Sequence, residues 1–258
     1  MPLRYALDMR GCGDTDRPES GYTIEKLAQD LFGFVTALGI FRFHLVAHSL
    51  GGAVALQFVL DHPTLAQTLT LSAPAPAEGL PLLGESNVNS SWLARLFDLE
   101  SESARTTLSV FYGAMQNLET NRPLLRRAVQ RMAPTMSRAD GLDTLVDDAA
   151  RMPPAAVIGH LRALQTWNIQ SELSRINLPV LIVGGARDVI VPRASLERMA
   201  HALPNANLQI WADAGHAPQL EQPERFVQTL MTFIDEHVPA EPAAWVEWLH
   251  SLWLRFRR

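Results

Sequence analysis

Cysteine is almost missing from this 258-residue chain, whose one thiol belongs to Cys12. A single cysteine excludes an intrachain disulfide and suits a reducing compartment, so we expect a cytoplasmic protein. An excess of positive charge is missing as well, because 27 acidic residues outnumber 22 basic ones. The formal net charge of −5 leaves no electrostatic footprint for nucleic acid, so we expect no nucleic-acid partner.

Signatures of secretion, membrane insertion and cofactor binding are also missing. The segment with Arg4, Asp8 and Arg10 is too charged for the apolar core of a signal peptide. No run is long and apolar enough to span a bilayer. Neither a metal-ligand spacing nor a Gly-x-Gly-x-x-Gly or phosphate-binding loop occurs, so we expect no metal and no cofactor.

What the chain does contain is an alternation of short apolar runs with helical patterns. Such alternation predicts an α/β fold with a mostly parallel sheet flanked by helices. Ile24, Leu27, Leu31 and Val35 recur at helical spacing after Thr23, a candidate N-cap. The predicted strands are 5–8, 43–47, 68–71, 179–185 and 208–211, and the other predicted core helices are 53–60, 192–203 and 223–238.

The most informative stretch is Val46-Ala47-His48-Ser49-Leu50-Gly51-Gly52, between a predicted strand and a predicted helix. A serine in such a turn has strained backbone geometry, and its hydroxyl is held clear of the sheet near a helix N-terminus. Strand and helix nearly touch there, and Ala47, Gly51 and Gly52 supply the small residues this requires. The pattern predicts a nucleophilic Ser49; the alternative is a glycine-rich turn that only packs a helix onto a strand.

Two further polar groups follow later strands. Asp188 comes after the run that ends at Gly185, and His216 comes after the run that ends at Trp211. Because open α/β sheets bind ligands at the carboxyl ends of their strands, we expect both side chains near Ser49. Asp213 is closer to His216 in sequence, but we assign it to bracing that loop.

The order Ser49, Asp188, His216 resembles the catalytic triad of the α/β-hydrolase superfamily. Segments 189–192 and 217–218 are similar to that family, and segment 7–18 resembles the loop after its fourth strand. The resemblance implies that Ser49 is the nucleophile, His216 the base and Asp188 the residue that orients the imidazole. It also implies that the backbone N–H of Leu50 is an oxyanion donor.

The resemblance also shows what precedes this region in the family. Three strands and a helix come before the segment similar to 5–18, and the loop after the third strand, usually His-Gly, supplies a second oxyanion N–H. No His-Gly segment lies upstream of Ser49. We therefore expect an N-terminally short sheet, with either a direct pairing of the family's fourth and fifth strands or two unpaired edges, and weak catalysis if the chain is complete.

The long segment between the third and fourth predicted strands predicts an insertion. We divide the chain into an α/β-hydrolase core, 1–76 and 169–238, a helical cap or lid, 77–168, and an amphipathic Trp-rich tail, 239–258. In the family such a cap roofs the active site. The cap here favours an apolar acyl or aromatic substrate through its large apolar residues, Trp92, Leu96, Phe97, Phe111, Tyr112, Met115 and Trp167.

Two residues are predicted to bind substrate: His48 beside the nucleophile and Trp167 in the cap. The alternative for Trp167 is that it holds the cap helices together. For the tail 239–258 we expect docking on the protein's own core; contact with a membrane surface or with a second subunit of a homo-oligomer are the alternatives.

The sequence favours a cofactor-independent serine hydrolase that cleaves a carboxylic ester or related acyl bond of a small, largely apolar molecule. Carbon–carbon bond hydrolases and perhydrolase-like enzymes share the same triad and stay open as alternatives. An alternative of another class is a truncated remnant, non-catalytic or weakly active, that binds partners or self-associates through exposed strand edges.

Overall fold

Four parallel strands form the central sheet of the protein. The structure is a computed structural model that describes residues 3–80, 122–136 and 141–238. The strands lie in the order β1-β2-β3-β4 and span Phe43–His48, Ala66–Ser72, Val180–Gly185 and Ala206–Trp211. Their carboxyl ends meet at one edge of the sheet, which confirms the predicted α/β class and brings the polar residues that follow β1, β3 and β4 to that edge.

Helices cover both faces of this sheet. In chain order they are α1 Ile24–Ala37, α2 Leu50–Asp61, α3 Arg122–Met132, α4 Leu142–Ala150, α5 Pro154–Thr166, α6 Arg193–Ala202, α7 Pro218–Glu221 and α8 Pro223–His237, with a 3-10 helix at Gln170–Arg175. The Thr23 hydroxyl accepts a hydrogen bond from the Lys26 N–H, 3.2 Å away, so the predicted N-cap of α1 is confirmed. Within the described ranges, no helix is long and apolar enough to cross a membrane.

The side chains of β3 alternate between two apolar clusters, one on each face of the sheet. Val180 and Ile182 pack into a large apolar cluster with residues of α1, α2 and α6. Leu181 and Val183 face the opposite way and pack with Trp211, Phe226 and Phe233, of which the last two belong to α8. The strand is buried on both faces, as expected for a parallel strand between two layers of helices.

The predicted strand at residues 5–8 is wrong. Residues 3–9 have no regular structure, and Leu3 and Tyr5 are 84% and 54% exposed. A strand needs a neighbour for its backbone hydrogen bonds, and among the described residues β1 pairs with β2 alone. The direct pairing of 5–8 with β1 is therefore absent here, and β1 forms an edge of the described sheet, where Val46 is 44% exposed.

The chain enters and leaves the segment between β2 and β3 at a neck formed by residues 77–80 and 164–169. The Leu80 N–H donates to the Leu164 carbonyl and the Ile169 N–H donates to the Ala77 carbonyl, both at 2.8 Å. These two bonds hold the entering and leaving chains side by side, and our division of the chain at residues 77–168 stays a prediction. The predictions for the apolar residues between 81 and 121 and for the tail 239–258 lie outside the described residues.

Helix α2 lies very close to the loop that follows β2. A Cβ added to Gly52 would be 2.6 Å from the Cβ of Pro74 and 2.9 Å from its Cα, closer than real atoms approach. A Cβ added to the adjacent Gly51 would lie 3.9 Å from the Cβ of Ala47, an ordinary van der Waals contact. Of the two glycines, the fold therefore requires Gly52 for packing and leaves room at Gly51.

We expect Gly52→Ala to lower the free energy of unfolding by about 1–3 kcal/mol, because Pro74 or α2 must move to accommodate the methyl group. The neighbouring Gly51→Ala is the matched control and should be neutral or stabilising, since alanine favours a helix over glycine by about 1 kcal/mol. Urea unfolding followed by circular dichroism measures both variants. Equal midpoints for the two would contradict this assignment.

Candidate active site

Ser49 lies at the sharp turn between β1 and α2. Its φ is 51° and its ψ is −118°, a conformation that residues with a Cβ rarely adopt. The Ser49 N–H donates to the Ser72 carbonyl at 3.1 Å, and the Ser49 carbonyl accepts from the N–H groups of Gly52 at 2.8 Å and Ala75 at 3.0 Å. Such strain costs on the order of 1–3 kcal/mol and persists because the surrounding hydrogen bonds fix it.

The side chains of Ser49, His216 and Asp188 form one hydrogen-bonded chain. The Ser49 Oγ is 2.8 Å from the His216 Nε2, and the His216 Nδ1 is 2.8 Å from the Asp188 Oδ2. Both the imidazole and the carboxylate are buried. With its Nδ1 proton donated to the carboxylate, the imidazole presents the Nε2 lone pair to the hydroxyl and can accept its proton.

The carboxylate of Asp188 is itself held in place by the turn that follows it. Its Oδ1 accepts from the backbone N–H of Ile190 at 2.7 Å and from that of Val191 at 3.0 Å. These two bonds satisfy one oxygen and leave the other for the imidazole. Asp213, by contrast, is an exposed residue whose carboxylate lies 3.4 Å from the Arg225 guanidinium.

His48 contacts the backbone of His216. Its Nε2 lies 2.7 Å from the His216 carbonyl oxygen, so the His48 ring donates through Nε2, and the two rings are 5.0 Å apart. Burial, and then the nearby His216, lower the pKa of His48 to about 4. His48 is therefore a neutral donor that supports the loop of His216, and its predicted contact with substrate stays a prediction.

Trp167 is 4% exposed and lies in the main apolar cluster. Its indole N–H donates to the Gln57 Oε1 at 3.1 Å, which ties the end of α5 to α2. These contacts attach the insertion to the core, and the predicted contact of Trp167 with substrate stays a prediction.

The backbone N–H of Leu50 lies at the start of α2. As the first residue of that helix, Leu50 has no preceding helical turn to accept its N–H, and the positive end of the helix dipole is located there. Its role as an oxyanion donor stays a prediction.

Sequence reasoning missed two residues of α7 that contact this site. Gln219 accepts a hydrogen bond from the Ser72 hydroxyl at 2.6 Å, and Glu221 accepts one from the Gly215 N–H at 2.8 Å. The sequence signal for Glu221 was a carboxylate five residues after His216. An ordinary surface glutamate would give the same pattern, so this signal was too weak to use. Among the described residues, no group of three or more His, Cys, Asp or Glu side chains could hold a metal ion.

A parallel sheet with a serine on a strained turn at the carboxyl ends of its strands is typical of an α/β-fold hydrolase. A family model described as alpha/beta hydrolase fold matches residues 5–223, and the chain belongs to this family.

Two proteins have sequences similar to this one over most of the chain. An uncharacterised protein of Mycobacterium tuberculosis is 31% identical over 254 residues, which cover 92% of this chain and 68% of the relative. A protein of Stutzerimonas stutzeri named "Putative carbamate hydrolase RutD" is 29% identical over 229 residues, which cover 87% of this chain and 78% of the relative.

Solved structures share the fold. Est816, described as an N-acyl homoserine lactone degrading enzyme, is 25% identical with a TM-score of 0.66, and the match covers 88% of this chain and 80% of that one. An esterase from Exiguobacterium antarcticum has a TM-score of 0.71 at 19% identity, with the same two coverages.

The lowered pKa of His48 predicts a loss of stability on acidification. Between pH 6.5 and about 4 the unfolded chain protonates this imidazole while the native chain does not, so the free energy of unfolding falls as the pH falls. His48→Leu should reduce that dependence by up to about 1.4 kcal/mol per pH unit. Urea unfolding at several pH values measures it, with His201→Leu, at an exposed position of α6, as the control. Identical slopes for His48→Leu and the wild type would show that His48 does not titrate this way.

Proposed function

We propose that the chain is a cofactor-independent serine hydrolase that cleaves a carboxylic ester or related acyl bond of a small, largely apolar molecule. The observation that carries the proposal is the continuous chain of 2.8 Å hydrogen bonds from the Ser49 Oγ through the His216 imidazole to the Asp188 carboxylate. In this proposal Ser49 is the nucleophile, His216 the general base and acid, and Asp188 the residue that orients the imidazole.

The first step joins Ser49 to the substrate. The Ser49 Oγ attacks the carbonyl carbon while its proton moves to the His216 Nε2, and the Asp188 carboxylate stabilises the imidazolium that forms. The negative charge that develops on the carbonyl oxygen faces the Leu50 N–H at the start of α2. His216 then returns the proton to the leaving group as the bond to the acyl carbon breaks.

The second step releases the acyl group. Water gives a proton to the His216 Nε2 and attacks the acyl carbon, and the Ser49 Oγ leaves with that proton. No other co-reactant is needed, because every proton taken up by His216 is returned within the cycle.

The choice of an acyl bond is supported by what the relatives are named for. The Stutzerimonas protein is named for carbamate hydrolysis and Est816 for the degradation of an N-acyl homoserine lactone. A carbamate and a lactone share a carbonyl carbon bonded to an oxygen or nitrogen leaving group, which is the group this mechanism attacks. The proposed preference for an apolar molecule rests on the large apolar residues of the insertion. We also propose a cytoplasmic location, because the chain has a single cysteine.

A second candidate function is binding or self-association through the open edge of β1. The observation that favours it is the exposed Val46 on a strand that pairs on one side alone within the described sheet. An unpaired strand edge offers its N–H and C=O groups to another chain.

Labelling by a fluorophosphonate probe tests the proposed function. We expect the purified chain to be labelled, Ser49→Ala to be unlabelled, and Asp188→Asn to react on the order of 10⁴-fold more slowly because the imidazole loses its orienting carboxylate. Ser20→Ala, at an exposed serine away from the turn, is the matched control and should be labelled at the wild-type rate.

Circular dichroism of each sample reports folding. A folded wild-type chain that resists the probe would contradict the hydrolase proposal, and concentration-dependent sedimentation of that chain would then favour self-association instead.

A further inference from the structure

The loop that carries His216 is fastened to the core by the carboxylate of Glu221. The Glu221 Oε1 accepts from the Gly215 N–H at 2.8 Å and from the Ala217 N–H at 3.3 Å. These two amides flank His216 on either side. One oxygen of Glu221 therefore fixes the backbone from which the imidazole extends.

The other oxygen of the same carboxylate binds the insertion. The Glu221 Oε2 accepts from the Thr135 hydroxyl at 2.8 Å and from the Thr135 N–H at 3.2 Å. Thr135 lies three residues beyond Met132, the last residue of α3, within the segment between β2 and β3. Glu221 thus connects the His216 loop directly to the insertion.

The backbone of His216 contacts the same part of the insertion. Its N–H donates to the Met132 carbonyl at 2.6 Å, and a Cβ added to Gly215 would lie 2.5 Å from that carbonyl oxygen and would also overlap Pro134. The segment 132–135 therefore packs against the loop of His216 so closely that a side chain at position 215 would not fit. A shift of this segment would shift the loop as well.

We propose that Glu221 is a positioning residue through which the segment 132–135 of the insertion sets the place of the His216 imidazole. The carboxylate suits this role because both oxygens accept, and four donors from two parts of the chain converge on it. The proposal rests on the proposed function of His216 as the base. It makes residues 132–135 of the insertion part of the machinery that aligns proton transfer.

Glu221→Gln is the sharpest test, because glutamine keeps the shape and one accepting oxygen but its amide nitrogen cannot accept from the Thr135 N–H. We expect about a 10-fold lower rate of fluorophosphonate labelling for Glu221→Gln and about a 100-fold lower rate for Glu221→Ala, since small misplacements of catalytic groups have effects of this size. With a fluorogenic ester, kcat should fall while KM changes little, and the pH profile of kcat should shift.

Thr135→Val removes the hydroxyl and keeps the backbone donor, so it should slow labelling by about 3-fold. Combined with Glu221→Ala it should cause no further loss, because Glu221→Ala already removes both bonds to Thr135. Glu224→Gln, at an exposed carboxylate in the first turn of α8, is the matched control and should react at the wild-type rate.

The outcomes separate the two proposals. A wild-type chain that is not labelled would contradict the proposed function. If the wild type is labelled and a folded Glu221→Gln reacts equally fast, the positioning role is overturned. The same holds if a lower melting temperature is the only defect of Glu221→Gln. If Glu221→Ala does not fold, the single variants Glu221→Gln and Thr135→Val decide the question.

Discussion

The positive φ of Ser49 is the constraint on which the rest of the site depends. His48 and Ser72 are paired in the register of β1 and β2, so the next residues, Ser49 and Ala73, leave the sheet at the same level, and both have a positive φ. The bonds between Ser49 and the loop at 72–75 join these two turns into one unit. Helix α2 can start there because Gly52 lets it approach Pro74.

Two groups beside this unit, His48 and Asp188, face the His216 imidazole. His48 is held neutral beside His216, so it adds no positive charge next to the imidazole that, in the proposed mechanism, becomes positive. The Asp188 carboxylate is turned toward the imidazole by two backbone amides. Water screens charges little in a buried site of this kind. The Asp188 carboxylate and the two amides that hold it therefore have a large effect on where the proton lies between Ser49 and His216.

The residues that carry strong local signals could be predicted from the sequence. Thr23, the turn at Ser49, and the aspartate and histidine after later strands each follow from patterns that depend on neighbours in the chain, together with the rule for parallel sheets. The strand at 5–8 was predicted wrongly because its formation depends on a pairing partner, which an apolar pattern does not reveal. Glu221 and the contact between His48 and the His216 carbonyl were missed since they depend on how distant segments pack.

The neck at residues 77–80 and 164–169 has a consequence for how this protein can change over evolution. Two backbone hydrogen bonds fix the separation of the entering and leaving chains, so the length and sequence between them can vary without altering the register of β2 and β3. Gly79, with a φ of 86° and no room for a side chain beside the Trp167 carbonyl, is needed at that junction. The backbone bonds at this junction therefore do not fix the length of the segment between them, whereas its contacts with the core, such as Trp167 with Gln57, Arg151 with Asp14 and residues 132–135 with the His216 loop, restrict what can replace it.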